Sequence, residues 1–178
     1  MPSYPREELE EMVERWLEAN RRAEKAGDWQ PMAELYTDNA EYSWNTGPNE
    51  RFMARGREQI REWALGTEMQ GLDGWNYPYT KVLIDEKQGE VVGFWKQVAD
   101  ARRPDGTPYT VEGIGGSWFR YAGDFKWEWQ ADFFDLGNVT ALFFEMIEAG
   151  VLGEGMSKRL EAAVAGEVAP GHEKIRPE

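Results

Sequence analysis

The chain has no cysteine, a single histidine and no long apolar run. Without cysteine there are no disulfides and no thiolate metal sites, and a reducing compartment is permitted. His172 stands alone near the carboxyl end, and the carboxylates do not follow the pattern of a calcium loop, so neither a metal nor another cofactor is expected. No apolar stretch approaches the ~20 residues that cross a bilayer. The amino-terminal MPSYPREELEEM is acidic where a signal peptide is basic and then apolar, so a soluble cytoplasmic protein is expected. Positive charge is scarce: 20 Lys and Arg against 33 Asp and Glu leave a net charge of −13, which argues against nucleic acid and anionic membranes as partners.

Aromatic residues, in contrast, are abundant. Nine Trp, seven Tyr and eight Phe in 178 residues suit either a dense core or an apolar ligand cavity. The length fits one domain with tails. Pro5, Glu7 and Glu8 mark a helix start, and Leu9, Met12, Val13, Trp16 and Leu17 repeat on one face, predicting a helix to Lys25 with Gly27 as its stop. Asp28 caps a short second helix over Pro31 to Tyr36, and a strand follows from Ala40 to Trp44. NTGPNERF reads as loop, and GREQIREWALG, residues 56–66, as a third helix.

From Thr80 the period changes to two. Turns near Glu86 to Gly89, Pro104-Asp105-Gly106 and Gly123 divide the segment into a four-stranded meander. The Gly-rich GIGGSW lacks the following helix that a phosphate loop needs, so close backbone packing accounts for it better. ALFFEMI and SKRLEAAVA predict two terminal helices, and everything beyond Gly166 reads as a loose tail. Helices followed by a meander give an α+β arrangement, with helices covering one face of a curved antiparallel sheet.

Three stretches carry a resemblance: AEKAGDWQPMAELYTDNAEYSWNTGP, ARGREQIREW and the final strand ending in WQADFFDL. They resemble the nuclear transport factor 2-like superfamily in its SnoaL-like branch, over about Glu7 to Leu136. The resemblance implies a cone of three helices and a bent sheet around an apolar pocket. Residues 1–150 are then one such domain, and 151–178 a helical extension and tail. The superfamily holds isomerases, dehydratases, cyclases, epoxide hydrolases and non-catalytic binding proteins, so fold alone does not fix function. The positions matching the ketosteroid isomerase Tyr and two Asp hold Asn20, Trp44 and Ser117, and no histidine stands where scytalone dehydratase-like chemistry needs one. Limonene epoxide hydrolases resemble the last strand most, with Asp132 in the place of their water-activating base. Their Arg-x-Asp pair is replaced by Lys96, Val98 and Asp100.

Alternation puts Glu128, Gln130, Asp132 and Phe134 on one face of the last strand, and Trp127, Trp129, Ala131 and Phe133 on the other. A β-bulge would turn Trp129 inward beside Asp132. Lys96 and Asp100 share a face, and Asn20 extends the buried stripe of the first helix with an amide. The expected catalytic set is therefore Asp132, Lys96, Asp100 and Asn20. The expected substrate-binding set is Tyr42, Trp44, Trp16, Trp129, Gln130 and Phe134. The expectation is an acid/base enzyme acting on an apolar, oxygen-bearing molecule such as a terpenoid, steroid or polyketide. Epoxide hydrolysis stands beside dehydration, isomerisation or cyclisation, and beside non-catalytic binding of an apolar ligand. Aromatic residues on the face opposite Asp132 predict a homodimer.

Overall fold

The computed structural model describes residues 4–176; the remaining ends of the expected domain and tail lie outside the described residues. Helix α1, Arg6–Ala26, buries the stripe Leu9, Met12, Val13, Trp16, Ala19 and Ala23, and stops at Gly27, whose φ of 65° only glycine adopts freely. A 3₁₀ turn, Gln30–Leu35, follows, and Asp28 Oδ1 accepts from the Gln30 N–H at 3.0 Å. Strand β1 spans Tyr36–Gly47 and β2 Glu50–Arg55. NTGPNERF is thus a hairpin rather than a loop. Its Gly-Pro-Asn signal is only the turn, and Phe52 and Ala54 beyond it are fully buried. Helix α2, Arg57–Gln59, widens into a π turn over Ile60–Ala64, which buries Ile60 and Ala64.

The strands that follow are β3 (Trp75–Asn76), β4 (Tyr79–Asp85), β5 (Glu90–Trp95), β6 (Gln97–Arg102), β7 (Pro108–Val111), β8 (Gly115–Gly123) and β9 (Lys126–Phe134). They do not form one meander. With β10 (His172–Lys174) at its edge, a seven-stranded sheet runs β10-β2-β1-β9-β8-β5-β4, and β3-β6-β7 form a second sheet. The chain leaves the first sheet at Lys96, between β5 and β6. The large sheet is mixed, because β1 and β9 pair in parallel while its other ladders are antiparallel. The fold is α+β, as expected.

Helix α3, Leu136–Glu148, is capped by Asp135, whose Oδ1 accepts from the Asn138 N–H at 3.0 Å. Helix α4, Glu154–Val164, follows. The segment expected as a loose tail instead returns as β10, His172–Lys174, paired with β2. Glu173 fixes it there, accepting from Arg51 Nε at 2.9 Å and Arg55 Nη2 at 2.9 Å. Two apolar cores result. One joins α1 to the inner face of the large sheet. The other joins the small sheet to α3 and α4 through Trp75, Tyr109, Leu142, Met146 and Met156.

Candidate functional site

Between the two cores lies a cavity of about 340 Å³. This is at the low end of the ~300–1,000 Å³ common for small-molecule pockets, so it suits a compact ligand. Trp16, Trp29, Tyr42, Trp44, Tyr79 and Trp95 give it an aromatic wall, and Val139, Phe143, Met156 and Leu160 close it from α3 and α4. The Gly-rich stretch serves this wall. A Cβ on Gly115 would lie 2.8 Å from the Trp95 ring, so only glycine lets that indole lie across β8.

Of the residues expected from sequence, Asp132, Asn20, Tyr42, Trp44, Trp16, Gln130 and Phe134 line the cavity, whereas Lys96, Asp100 and Trp129 do not. Trp95 and Gln97 point inward on either side of the break between strands, which turns Lys96 out; its Nζ donates to the Glu112 carbonyl at 2.8 Å. Buried Ala99 keeps the same inward parity, so Asp100 faces solvent and accepts from Asn76 Nδ2 at 2.8 Å. A bulge does occur in β9, but at Glu128: Trp129 pairs with Arg120 and Trp127 with Tyr121. It turns Trp127 into the core and leaves Trp129 outside, with the Arg120 guanidinium 4.6 Å above its ring. Asn20 Nδ2 donates one of its two hydrogens to the Trp16 carbonyl at 3.0 Å, leaving the second N–H and the side-chain oxygen.

Asp132 is half-buried and lines the cavity. Tyr42 donates its hydroxyl to Oδ2 at 2.6 Å, and Gln130 Nε2 donates to Oδ1 at 2.7 Å. The Tyr36 hydroxyl donates to Gln130 Oε1, which fixes the amide with its NH₂ toward the carboxylate. Burial pushes the Asp132 pKa above its ordinary value, and the Gln130, Ser117 and Tyr42 donors pull it back. No Lys or Arg among the described residues forms an ion pair with it. Burial, followed by the Asp132 charge, raises the Tyr42 phenol well above its usual value, so Tyr42 stays a donor. Ser117, buried beside it, accepts from Trp95 Nε1 at 3.0 Å, and Tyr79 accepts from Trp16 Nε1 at 2.9 Å.

The wall also contains groups that the sequence did not single out: Tyr77, Tyr79, Glu68 and Arg159. Glu68, only 7% exposed, joins Arg159 Nη2 at 2.5 Å and His172 Nε2 at 3.0 Å, linking α4 and β10 to the turn after α2. Simple alternation misses Tyr79 because a bulge separates it from Lys81 in the pairing of β4 with β5. Arg159 comes from a helix beyond the resemblance and carries no local signal. Among the described residues, no cluster of three or more His, Cys, Asp or Glu could hold a metal.

The architecture is the nuclear transport factor 2-like fold. A phenazine biosynthesis-related protein from Pseudomonas aeruginosa superposes with a TM-score of 0.57 at 14% identity, covering 80% of this chain and 86% of its own. An NTF2-like protein from Anabaena variabilis gives 0.55 at 17%, covering 76% and 95%. A candidate SnoaL-like polyketide cyclase from Jannaschia sp. gives 0.51 at 17%, covering 71% and 89%. No curated protein matches the sequence. The SnoaL-like domain family matches residues 13–128, more than half of the chain, and the protein belongs to that family.

Proposed function

We propose that the protein is an acid/base enzyme acting on a compact, apolar, oxygen-bearing molecule, with Asp132 as the base. One observation carries this reading: a carboxylate with no cationic partner among the described residues faces an aromatic void and is held by neutral donors from Tyr42 and Gln130. Such a group costs stability, and a raised pKa brings it closer to the range useful for taking and returning a proton. The likeness to a candidate polyketide cyclase supports proton transfer at a carbon acid, as in isomerisation, cyclisation or dehydration. Epoxide opening with Lys96 or Asp100 assisting the leaving oxygen is less well supported, because both side chains are engaged outside the cavity.

Asp132→Asn keeps the shape and one of the two acceptor oxygens but removes the base. Turnover of a substrate found by screening enolisable ketones and cyclic polyketide analogues should fall ~10²–10⁴-fold, with folding and apolar-dye binding retained. Turnover at the parent rate would remove Asp132 from the mechanism. A cavity that binds such compounds without turning any over would favour a non-catalytic binding protein.

A further inference from the structure

Tyr77 lies between β3 and β4, and three features fix it. Pro78 confines it to extended backbone. Its N–H donates to Glu24 Oε1 at 2.7 Å, tying it to the end of α1. Its ring packs edge-on against Trp95, with centroids 5.8 Å apart at 85°. The residue lines the cavity, yet its hydroxyl has no hydrogen-bond partner among the described residues. The Tyr36, Tyr42 and Tyr79 hydroxyls each have one. Enclosed phenols ordinarily find a partner, so this rigid hydroxyl at the cavity wall, unpaired among the described residues, marks where a ligand completes the bonding.

We propose that Tyr77 is a specificity-determining residue that donates its hydroxyl to a carbonyl oxygen of the ligand, selecting compact carbonyl compounds over hydrocarbons of the same shape. Burial raises the Tyr77 phenol above its usual pKa, the Arg159 charge lowers it and the Glu24 and Asp132 charges raise it again, so the group remains a donor. A hydrocarbon in the cavity leaves that donor unpaired and cut off from water; a ketone satisfies it. This selection is independent of whether Asp132 acts as a base.

The test is equilibrium dialysis with alpha-tetralone, a two-ring ketone, and tetralin, the matching hydrocarbon. Tyr77→Phe should lower alpha-tetralone affinity roughly 2- to 10-fold, the value of one neutral hydrogen bond, and leave tetralin affinity unchanged or higher. Unchanged ketone affinity, equal loss of both probes, or no ketone binding by the parent protein would each overturn the proposal. Should Tyr77→Phe fail to fold, the infrared carbonyl stretch of alpha-tetralone bound to the parent protein decides. A shift to lower wavenumber than in hydrocarbon solvent supports the donor, and the hydrocarbon-solvent frequency refutes it. Because turnover is not read, failure here leaves the Asp132 assignment standing, and failure of Asp132→Asn leaves this one standing.

Discussion

Asp132 shows how neutral groups keep a buried carboxylate usable. A lysine partner would hold it ionised at any accessible pH, whereas an aromatic wall alone would hold it protonated. Gln130, oriented by Tyr36, and Tyr42 sit between these extremes: they offer hydrogen bonds without charge. The pH dependence follows. A base must be deprotonated to work, so activity should rise with pH through the raised Asp132 pKa. Tyr42→Phe removes a donor to the ionised form, so the rising limb of the kcat/KM profile should move toward alkaline pH. An unmoved limb would show that Tyr42 does not tune this carboxylate. Asp132 itself was legible from the WQADFFDL stretch and strand alternation, because one side of that strand must meet the helices. Tyr77 was not, since a lone Tyr before a Pro carries no periodicity and its meaning lies in a missing partner.

At the scale of elements, sequence period was reliable wherever the pairing stayed regular. The α1 stripe and the inward face of β9 from Gln130 to Phe134 followed from it. It failed at three irregularities. The break at Lys96 sends β6 to a second sheet, the bulge at Glu128 decides which Trp enters the core, and β10 is a three-residue strand stabilised by distant partners. Short edge strands of this kind depend on their side-chain anchors more than on β propensity. For β10 the anchor is Glu173, whose pKa is lowered to about 2 by hydrogen bonds from Arg55 and Arg51. A depressed carboxylate contributes stability above its unfolded pKa, near 4.5, and loses it as pH falls toward about 2. Compared by urea denaturation, the parent should therefore be more stable than Glu173→Gln at neutral pH, and the difference should shrink across that acidic window. A difference independent of pH would mean that the ion pairs are not what holds β10. Because Glu173 is about one-third exposed, solvent screening keeps the effect modest.

For the whole molecule, the outer face of the large sheet is the feature a lone subunit leaves unexplained. Trp118 is 38% exposed, Phe133 36% and Leu83 48%, and Val92, Phe94 and Trp129 are half-buried around them. Register places them together: Trp118 opposite Ala131 and beside Val92, Gly116 opposite Phe133 and beside Phe94. Trp127, expected on this face, is in the core, so the aromatic patch is smaller than alternation implied, though still contiguous. We propose that a second copy of the chain covers it. Glu90 and Arg120 pair with each other at 3.4 Å beside the patch, so its charged edge is neutralised within one subunit and the apolar face is free to meet its own copy about a two-fold axis. A net charge of −13 opposes association, so the dimer should tighten as salt screens that repulsion, the reverse of an interface held mainly by ion pairs. Sedimentation should give a dimer that Phe133→Glu converts to a folded monomer, because the carboxylate would be desolvated without a partner. A parent protein sedimenting as a monomer at micromolar concentration in high salt would overturn the assignment. A Phe133→Glu variant that stays dimeric would move the interface off this face.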